Sequence, residues 1–428
     1  MKAIFYILIL FSLGCVSPNQ TFTKIAPGIW RGVLFLDNEA PLVSSKKDVI
    51  VGVDNNGELP FTFEVIYDNE NDFHLEIHNA DERIRVDNIQ FGRDRATAKD
   101  TLYFNFEEYG THIKAICEER IMEGYWYVPY RNNYKIKFKA YQGDAKRFKN
   151  DHIPLTVSFN GRHALTFSKG SIDEYPAIGD FTQKDNKITG TILTETGDYR
   201  YMEGLVKKDK ALLSCFDGSH AFLIEMKKLA NDSIIGEFRS GIHHREPFDG
   251  IQSNSAVLKD GFDLVSKKSN SPFHIKLLNH ENKIIDTKTH PEYIGKLKIY
   301  EIMGTWCPNC KDATEFLIDF GSENPDVKIT ALAFERYRDT LKSHEIIRTY
   351  KVKMKLPYEI LLAGYFDKKE ASASLPQIEK IMAYPTLIIT DEKDVIQKVY
   401  TGFYGPATKE YEAFKKEFTS VINAIRKK

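Results

Sequence analysis

From about Ile25 to Ile251 the chain repeatedly alternates hydrophobic and polar positions. The alternation is complete in Tyr134-Lys135-Ile136-Lys137-Phe138-Lys139-Ala140, which sets Tyr134, Ile136 and Phe138 on one face and three lysines on the other. That is the pattern of a half-buried antiparallel strand. Similar runs predict strands at Ile29–Leu36, Phe61–Tyr67, Phe73–His78, Leu102–Phe106, Ile188–Leu193, Ala211–Phe216, Ala221–Met226 and Ile234–Phe238. Asp54-Asn55-Asn56-Gly57 and Thr196-Gly197-Asp198 supply turns between them. No long amphipathic helix is predicted here. Many short strands at close spacing predict an all-β region over 25–252, an antiparallel barrel or sandwich.

The pattern changes near Ser253. Residues 253–272 are rich in Ser, Asn and Lys, end at Pro272 and read as a linker. From Phe273 to Lys428 strand and helix patterns alternate. Phe273–Leu278 opens a hairpin turning at His280-Glu281-Asn282, and Lys296–Met303 reads as a buried strand. Ala313, Phe316, Leu317 and Phe320 recur at helical spacing. Val327–Phe334 reads as a second buried strand, followed by helical sequence through Tyr350. Thr386–Thr390 and Val395–Gly402 form a hairpin, and Phe414, Phe418, Val421, Ile422 and Ile425 mark a closing amphipathic helix.

The 428 residues are 42% hydrophobic and 28% charged, with a net charge of −1. That balance gives no long-range attraction to nucleic acid or an anionic membrane. Residues 1–14 differ: Lys2 precedes an apolar stretch from Ala3 to Leu13, and Ser12-Leu13-Gly14 leads into Cys15. This reads as a secretory signal rather than a membrane span. Cys15 after a small residue resembles the lipobox of bacterial lipoproteins, in which that Cys is acylated, with 15–24 as tether. Ordinary cleavage after Gly14 is the plainer alternative. Val16 after Cys15 favours, by the same resemblance, the outer membrane. Either route leads to a compartment where disulfides persist.

Of five cysteines, Cys307 and Cys310 form a close pair, while Cys117 and Cys215 stand singly. The latter two are either buried free thiols or partners in one bridge. Cys307 falls where a buried strand meets a helix, so its sulfur faces unpaired backbone N–H groups and the positive end of the helix dipole, which favour a thiolate. Pro308 occupies a first-turn position that tolerates proline. Cys310 lies under the same face of that turn and is placed to close a disulfide. Cys307 is thus the expected exposed nucleophile and Cys310 the buried resolving thiol. A zinc site would need further ligands at suitable spacing, and the adjacent His243-His244 do not supply them. Strand, Cys pair at a helix start, strand, helix, hairpin and helix is the order of an α/β thioredoxin-like fold.

Gly304-Thr305-Trp306-Cys307-Pro308-Asn309-Cys310 resembles the active site of TlpA/ResA-like thioredoxins anchored in bacterial envelopes, and Ala383-Tyr384-Pro385-Thr386 matches the family's second landmark. The resemblance spans about Phe273 to Ile425, with a helical insertion over Lys368–Ile381. It implies a cis Pro385 facing the disulfide, with Trp306, Pro308, Tyr384 and Pro385 as substrate contacts. Peroxiredoxins place Thr three residues before their reactive Cys, whereas Thr305 lies two before Cys307. Glu301, six residues before Cys307, stands where cytoplasmic thioredoxins keep a buried acid; a carboxyl there either takes and gives the Cys310 proton during exchange or only hydrogen-bonds within the fold, and the first is the favoured reading. The Glu that the ResA branch carries three residues after its second Cys is Ala313 here, so its acid/base duty is absent or moved to Glu301 or Glu335, although Glu335 reads rather as a structural ion pair. Segments Thr196–Tyr201 and Ser214–His220 also resemble stretches found upstream of such domains in other envelope lipoproteins.

The reading implied is a lipid-anchored, periplasm-facing thiol–disulfide oxidoreductase that needs no cofactor or metal. Its partners would be envelope protein disulfides and an upstream membrane electron donor, with no nucleic acid. Alternatives are a disulfide oxidase or isomerase, although strong oxidants carry His where Asn309 stands, and a ligand-binding β-barrel lipoprotein with an auxiliary thioredoxin domain.

Overall fold

The computed structural model describes residues 24–36, 57–96, 98–148 and 154–427. The signal, lipobox and Cys15 lie outside them. Among the described residues no helix is long and apolar enough to cross a membrane.

The all-β region is two sheets. Strands β1 (Gly28–Phe35), β2 (Glu58–Tyr67), β3 (Phe73–Asn79), β4 (Glu82–Val86), β5 (Ile89–Arg93), β6 (Asp100–Phe106), β7 (Thr111–Glu118), β8 (Ile121–Tyr127) and β9 (Lys135–Gln142) form an open half-barrel. Their order is β4-β3-β2-β1-β9-β8-β7-β6-β5. In β9 the lysines face outward while Ile136, Phe138 and Ala140 are buried, as alternation predicts.

The second sheet comprises β10 (Gly161–Phe167), β11 (Tyr175–Lys184), β12 (Lys187–Thr194), the stub β13 (Gly197–Asp198), β14 (Met202–Lys207), β15 (Lys210–Phe216), β16 (Ala221–Lys228), β17 (Ile234–Ser240) and β18 (His244–Gln252). Pairing of β11 with β12 closes it into a barrel. Strands β15 and β16 are apolar on both faces because both are covered. Ala211, Leu213, Cys215, Ile224 and Met226 fill the barrel, while Phe216, Ala221 and Leu223 join the core of the half-barrel. The Phe61 and Phe216 rings meet at 4.5 Å across this junction. Arg147 stitches the same seam, donating to the Ser214 carbonyl and Oγ at 3.0 Å each. Cys117 and Cys215 are buried free thiols on different sheets, so they do not form a bridge.

The C-terminal sheet contains β19 (Lys276–Asn279), β20 (Ile284–Asp286), β21 (Lys298–Met303), β22 (Lys328–Glu335), β23 (Glu359–Tyr365), β24 (Thr386–Thr390) and β25 (Ile396–Thr401), in the order β20-β19-β23-β22-β21-β24-β25. Strands β21, β22 and β23 are parallel, and β24 runs antiparallel to β21. Helices α1 (Pro308–Glu323), α2 (Thr340–Lys353), α3 (Lys368–Ser374) and α4 (Glu410–Arg426) cover the sheet. This is a thioredoxin-like α/β fold. Strand β23, in the middle of the sheet, was not anticipated from sequence, and the helix of the expected insertion is only α3. Within 253–272, Phe262 and Val265 are buried in the core of this domain.

Candidate redox site

The buried strand β21 ends at Met303, and Gly304-Thr305-Trp306 turns the chain into α1. Cys307 is the N-cap of α1, with extended backbone angles and Pro308 in the first turn. Its Sγ accepts the Cys310 backbone N–H at 3.3 Å. A backbone donor of the first helical turn, which has no partner within the helix, thus points at the sulfur. The Cys307 thiol donates to the Tyr384 carbonyl at 3.5 Å. Tyr384-Pro385 is a cis peptide bond, so the structure brings together the two landmarks, which lie more than seventy residues apart (|i−j| = 77). Both cysteines are free thiols and Cys310 is wholly buried; Cys307 is only 8% exposed, which corrects the expectation of an exposed nucleophile, because barrel residues contact Trp306 and Asn309 on either side of it. Burial, reinforced by Cys307 next to it, pushes the Cys310 thiol well above its ordinary value.

Glu301 sits in mid-strand, paired with Ala331 of β22 and Leu387 of β24. It accepts hydrogen bonds from Thr314 Oγ1 at 2.9 Å and from Tyr358 at 3.3 Å. Burial raises its carboxyl to about 8, so the group is largely neutral at pH 7. Thr314 lies one helical turn beyond Cys310 and also receives the Tyr350 hydroxyl at 3.2 Å. Cys310, Thr314 and Glu301 therefore occupy one buried layer between α1 and β21.

Glu335 makes no ion pair among the described residues, which corrects the expectation. It accepts from the Thr305 backbone N–H at 3.1 Å and the Thr305 hydroxyl at 2.9 Å, fixing the turn before Cys307. Burial raises it to about 7. With the carboxyl near half protonation, two hydrogen bonds take the place of a countercharge. Trp306 donates to the Phe334 carbonyl at 2.9 Å and packs edge-on against Phe366 and Tyr384. It therefore lies against the second landmark. Pro308 is buried in the first turn, and Ala313 is fully buried with no acid in its place.

Sequence reasoning missed the contribution of the barrel. Two of its turns lie against the start of α1. Asn309 donates to the Asp198 carbonyl at 3.2 Å, and Ser219 Oγ donates to the Trp306 carbonyl at 3.2 Å. The Gly405 backbone N–H donates to Asp198 Oδ2 at 2.7 Å. Arg200 pairs with Asp312 of α1 and, at 2.6 Å, with Glu82 of β4. Burial raises Asp312 to about 7, with Arg200 opposing. These contacts fall within Thr196–Tyr201 and Ser214–His220, the two segments already singled out, so the signal was present without its meaning.

Fold and site together define a thioredoxin-like domain with a dithiol at the head of its first helix, mounted on a two-sheet β platform. No protein-family model matches the chain. The chain is 29% identical over 131 residues, 30% of its length, to the thioredoxin-like protein YneN of Bacillus subtilis (strain 168), 68% of which is covered. Among solved structures, a thiol-disulfide oxidoreductase from Bacteroides fragilis NCTC 9343 matches 35% of this chain and 98% of its own, at 15% identity and a TM-score of 0.26. A secreted thiol-disulfide isomerase from Corynebacterium glutamicum matches 39% of this chain and 96% of its own, at 14% identity and a TM-score of 0.29.

Proposed function

We propose that this protein is a thiol–disulfide oxidoreductase that reduces or exchanges disulfides in proteins of a bacterial envelope. The reading is carried by one arrangement: the Cys307 sulfur caps α1 and accepts the Cys310 N–H, while Cys310 lies buried over the neutral Glu301.

In this reading the Cys307 thiolate attacks one sulfur of a substrate disulfide. The substrate S–S bond breaks, its second sulfur leaves as a thiolate that takes up a proton, and a mixed disulfide forms. Glu301, neutral at rest, first releases its proton; the carboxylate so formed takes the proton of Cys310, which attacks the Cys307 sulfur, and the departing substrate sulfur takes up a proton from solvent. The substrate leaves with two thiols, and Cys307 and Cys310 are oxidised to a disulfide. An external dithiol donor, reached from the membrane side, returns two electrons and two protons. Trp306, Pro308, Tyr384 and Pro385 contact the substrate segment, and the Tyr384 carbonyl, already 3.5 Å from Sγ, lies against its backbone. The chain acts outside the cytoplasm, held to the membrane through lipid on Cys15.

The test uses the full chain. Reduced protein should cleave a model protein disulfide and be regenerated by a dithiol, and Cys310→Ser should accumulate mixed disulfides on Cys307. A protein that neither turns over nor traps any partner would end this reading. The oxidase or isomerase alternative separates by potential: a value near −270 mV marks a reductant, about −120 mV a strong oxidant.

A further inference from the structure

Where the half-barrel, the barrel and the thioredoxin-like domain meet, a cavity of about 380 Å³ opens beside Trp306. Its wall is largely aromatic, including Trp126, Tyr134, Tyr199, Phe222 and Phe238. Ser219 and Arg336 also line it, and both touch Trp306.

The charges at this cavity do not balance. No Asp or Glu lines it, whereas Arg131, Arg336 and three histidines do. Two histidines have acids of their own: His220 is 3.0 Å from Asp217, and His244 is 3.1 Å from Glu246. His243 is held neutral by burial, at about 3, and sits 2.9 Å from the Tyr134 hydroxyl. That leaves the two guanidiniums; Glu335, next to Arg336 in the chain, attracts it from outside the cavity but spends its oxygens on Thr305. Arg336 is clamped between rings, its guanidinium carbon 3.8 Å from the Tyr130 ring centre and 4.4 Å from that of Trp306. Its Nε and Nη1 are shielded from solvent and have no hydrogen-bond partner among the described residues. Trp126 Nε1 is buried and without an acceptor in the same way.

Cation–π contacts offset part of the cost of burying a guanidinium, but they do not satisfy its N–H groups. Every unsatisfied group just named is a donor. What the cavity lacks is therefore an acceptor with a negative charge, and its walls suit an apolar body. A carboxylate answers both, because its two oxygens match the planar fork of arginine.

We infer that this cavity binds a carboxylate carried on an aromatic or apolar body, with Arg336 and Trp126 Nε1 as donors. The carboxylate comes from a free small acid or from the C-terminal residue of a polypeptide. The inference stands apart from the redox reading, since it concerns binding alone.

The test is calorimetric titration of the full-length protein with phenylacetate and with its neutral counterpart phenylacetamide. A parallel pair is a short peptide ending in Phe, with a free or an amidated C-terminus. The acids should bind saturably and the amides at least tenfold more weakly. Tighter binding of the free-acid peptide identifies a polypeptide terminus as the source, and binding of phenylacetate alone identifies a small acid. Arg336→Gln should weaken acid binding at least tenfold, and Arg336→Lys should restore part of it. No saturable binding up to about 10 mM, equal binding of acid and amide, or undiminished binding to Arg336→Gln overturns the inference. If Arg336→Gln fails to fold, the acid–amide comparison on the unaltered protein decides alone.

Discussion

Arg200 of the barrel holds Asp312 of α1 with one end of its guanidinium and Glu82 of the half-barrel with the other. One buried side chain thus ties all three parts of the molecule two residues beyond Cys310. Removing one member of a buried ion pair leaves the others charged and unpaired, which typically costs about 3–5 kcal/mol. Arg200→Met is therefore expected to lower stability by that order in denaturant titration. It should also raise the rate at which iodoacetamide alkylates Cys307 several-fold, because the barrel turns would no longer be held against α1. An unchanged alkylation rate in a folded variant would show that docking does not restrict access.

Glu301 makes stability depend on pH in a stated direction. Its folded value of about 8 lies above the ordinary 4.5, so between these values the native state holds a proton that the unfolded chain has released. Its contribution is complete below about pH 4.5 and declines by up to about 1.4 kcal/mol per pH unit until the group ionises near pH 8. Glu301→Gln should match the parent protein near pH 4.5 and exceed it at pH 8–9 in thermal denaturation. The same variant should slow resolution of the mixed disulfide, read in single-turnover kinetics, while leaving Cys307 alkylation nearly unchanged.

Thr305→Val removes one of the two donors to Glu335 and leaves a buried carboxyl oxygen without a partner. The expected loss is about 1–3 kcal/mol. Disulfide turnover should fall as well, since the turn that presents Cys307 loses its anchor. Retained turnover with reduced Tm would confine the role of Thr305 to stability.

Cys117 and Cys215 are buried in cores other than that of the dithiol, and burial raises both thiols, Cys117 to about 11. Replacing both by Ala should remove two titratable thiols from the denatured protein without changing disulfide turnover. Each substitution should cost about 1 kcal/mol in packing. Cys307→Ser should abolish turnover by itself.

Much of this architecture could be read from the chain because the physics involved is local. Alternation announced β9, and the Cys-Pro-Asn-Cys turn announced the head of α1. Strand β23 escaped because its apolar core, Ile360 to Ala363, is short, follows Pro357 closely and has no alternation once both faces are covered. Glu335 was misread because a buried acid suggests a countercharge, whereas here hydrogen bonds from a turn thirty residues earlier (|i−j| = 30) suffice. Arg200 and Asp312 are 112 positions apart with no shared motif, so only the tertiary fold brings them together. The cavity beside Trp306 has the same origin, since its walls come from both β-sheets and from Arg336 of the C-terminal domain.

The hollow of the half-barrel is finished by Leu205, Phe216, Ala221 and Leu223, which arrive from a sheet made later in the chain. During synthesis the N-terminal strands must wait as an open trough of exposed aromatics until β14 to β16 emerge. Quality-control factors would meet that trough first. A lesion in those three strands would surface as aggregation of a segment that it never touches in sequence.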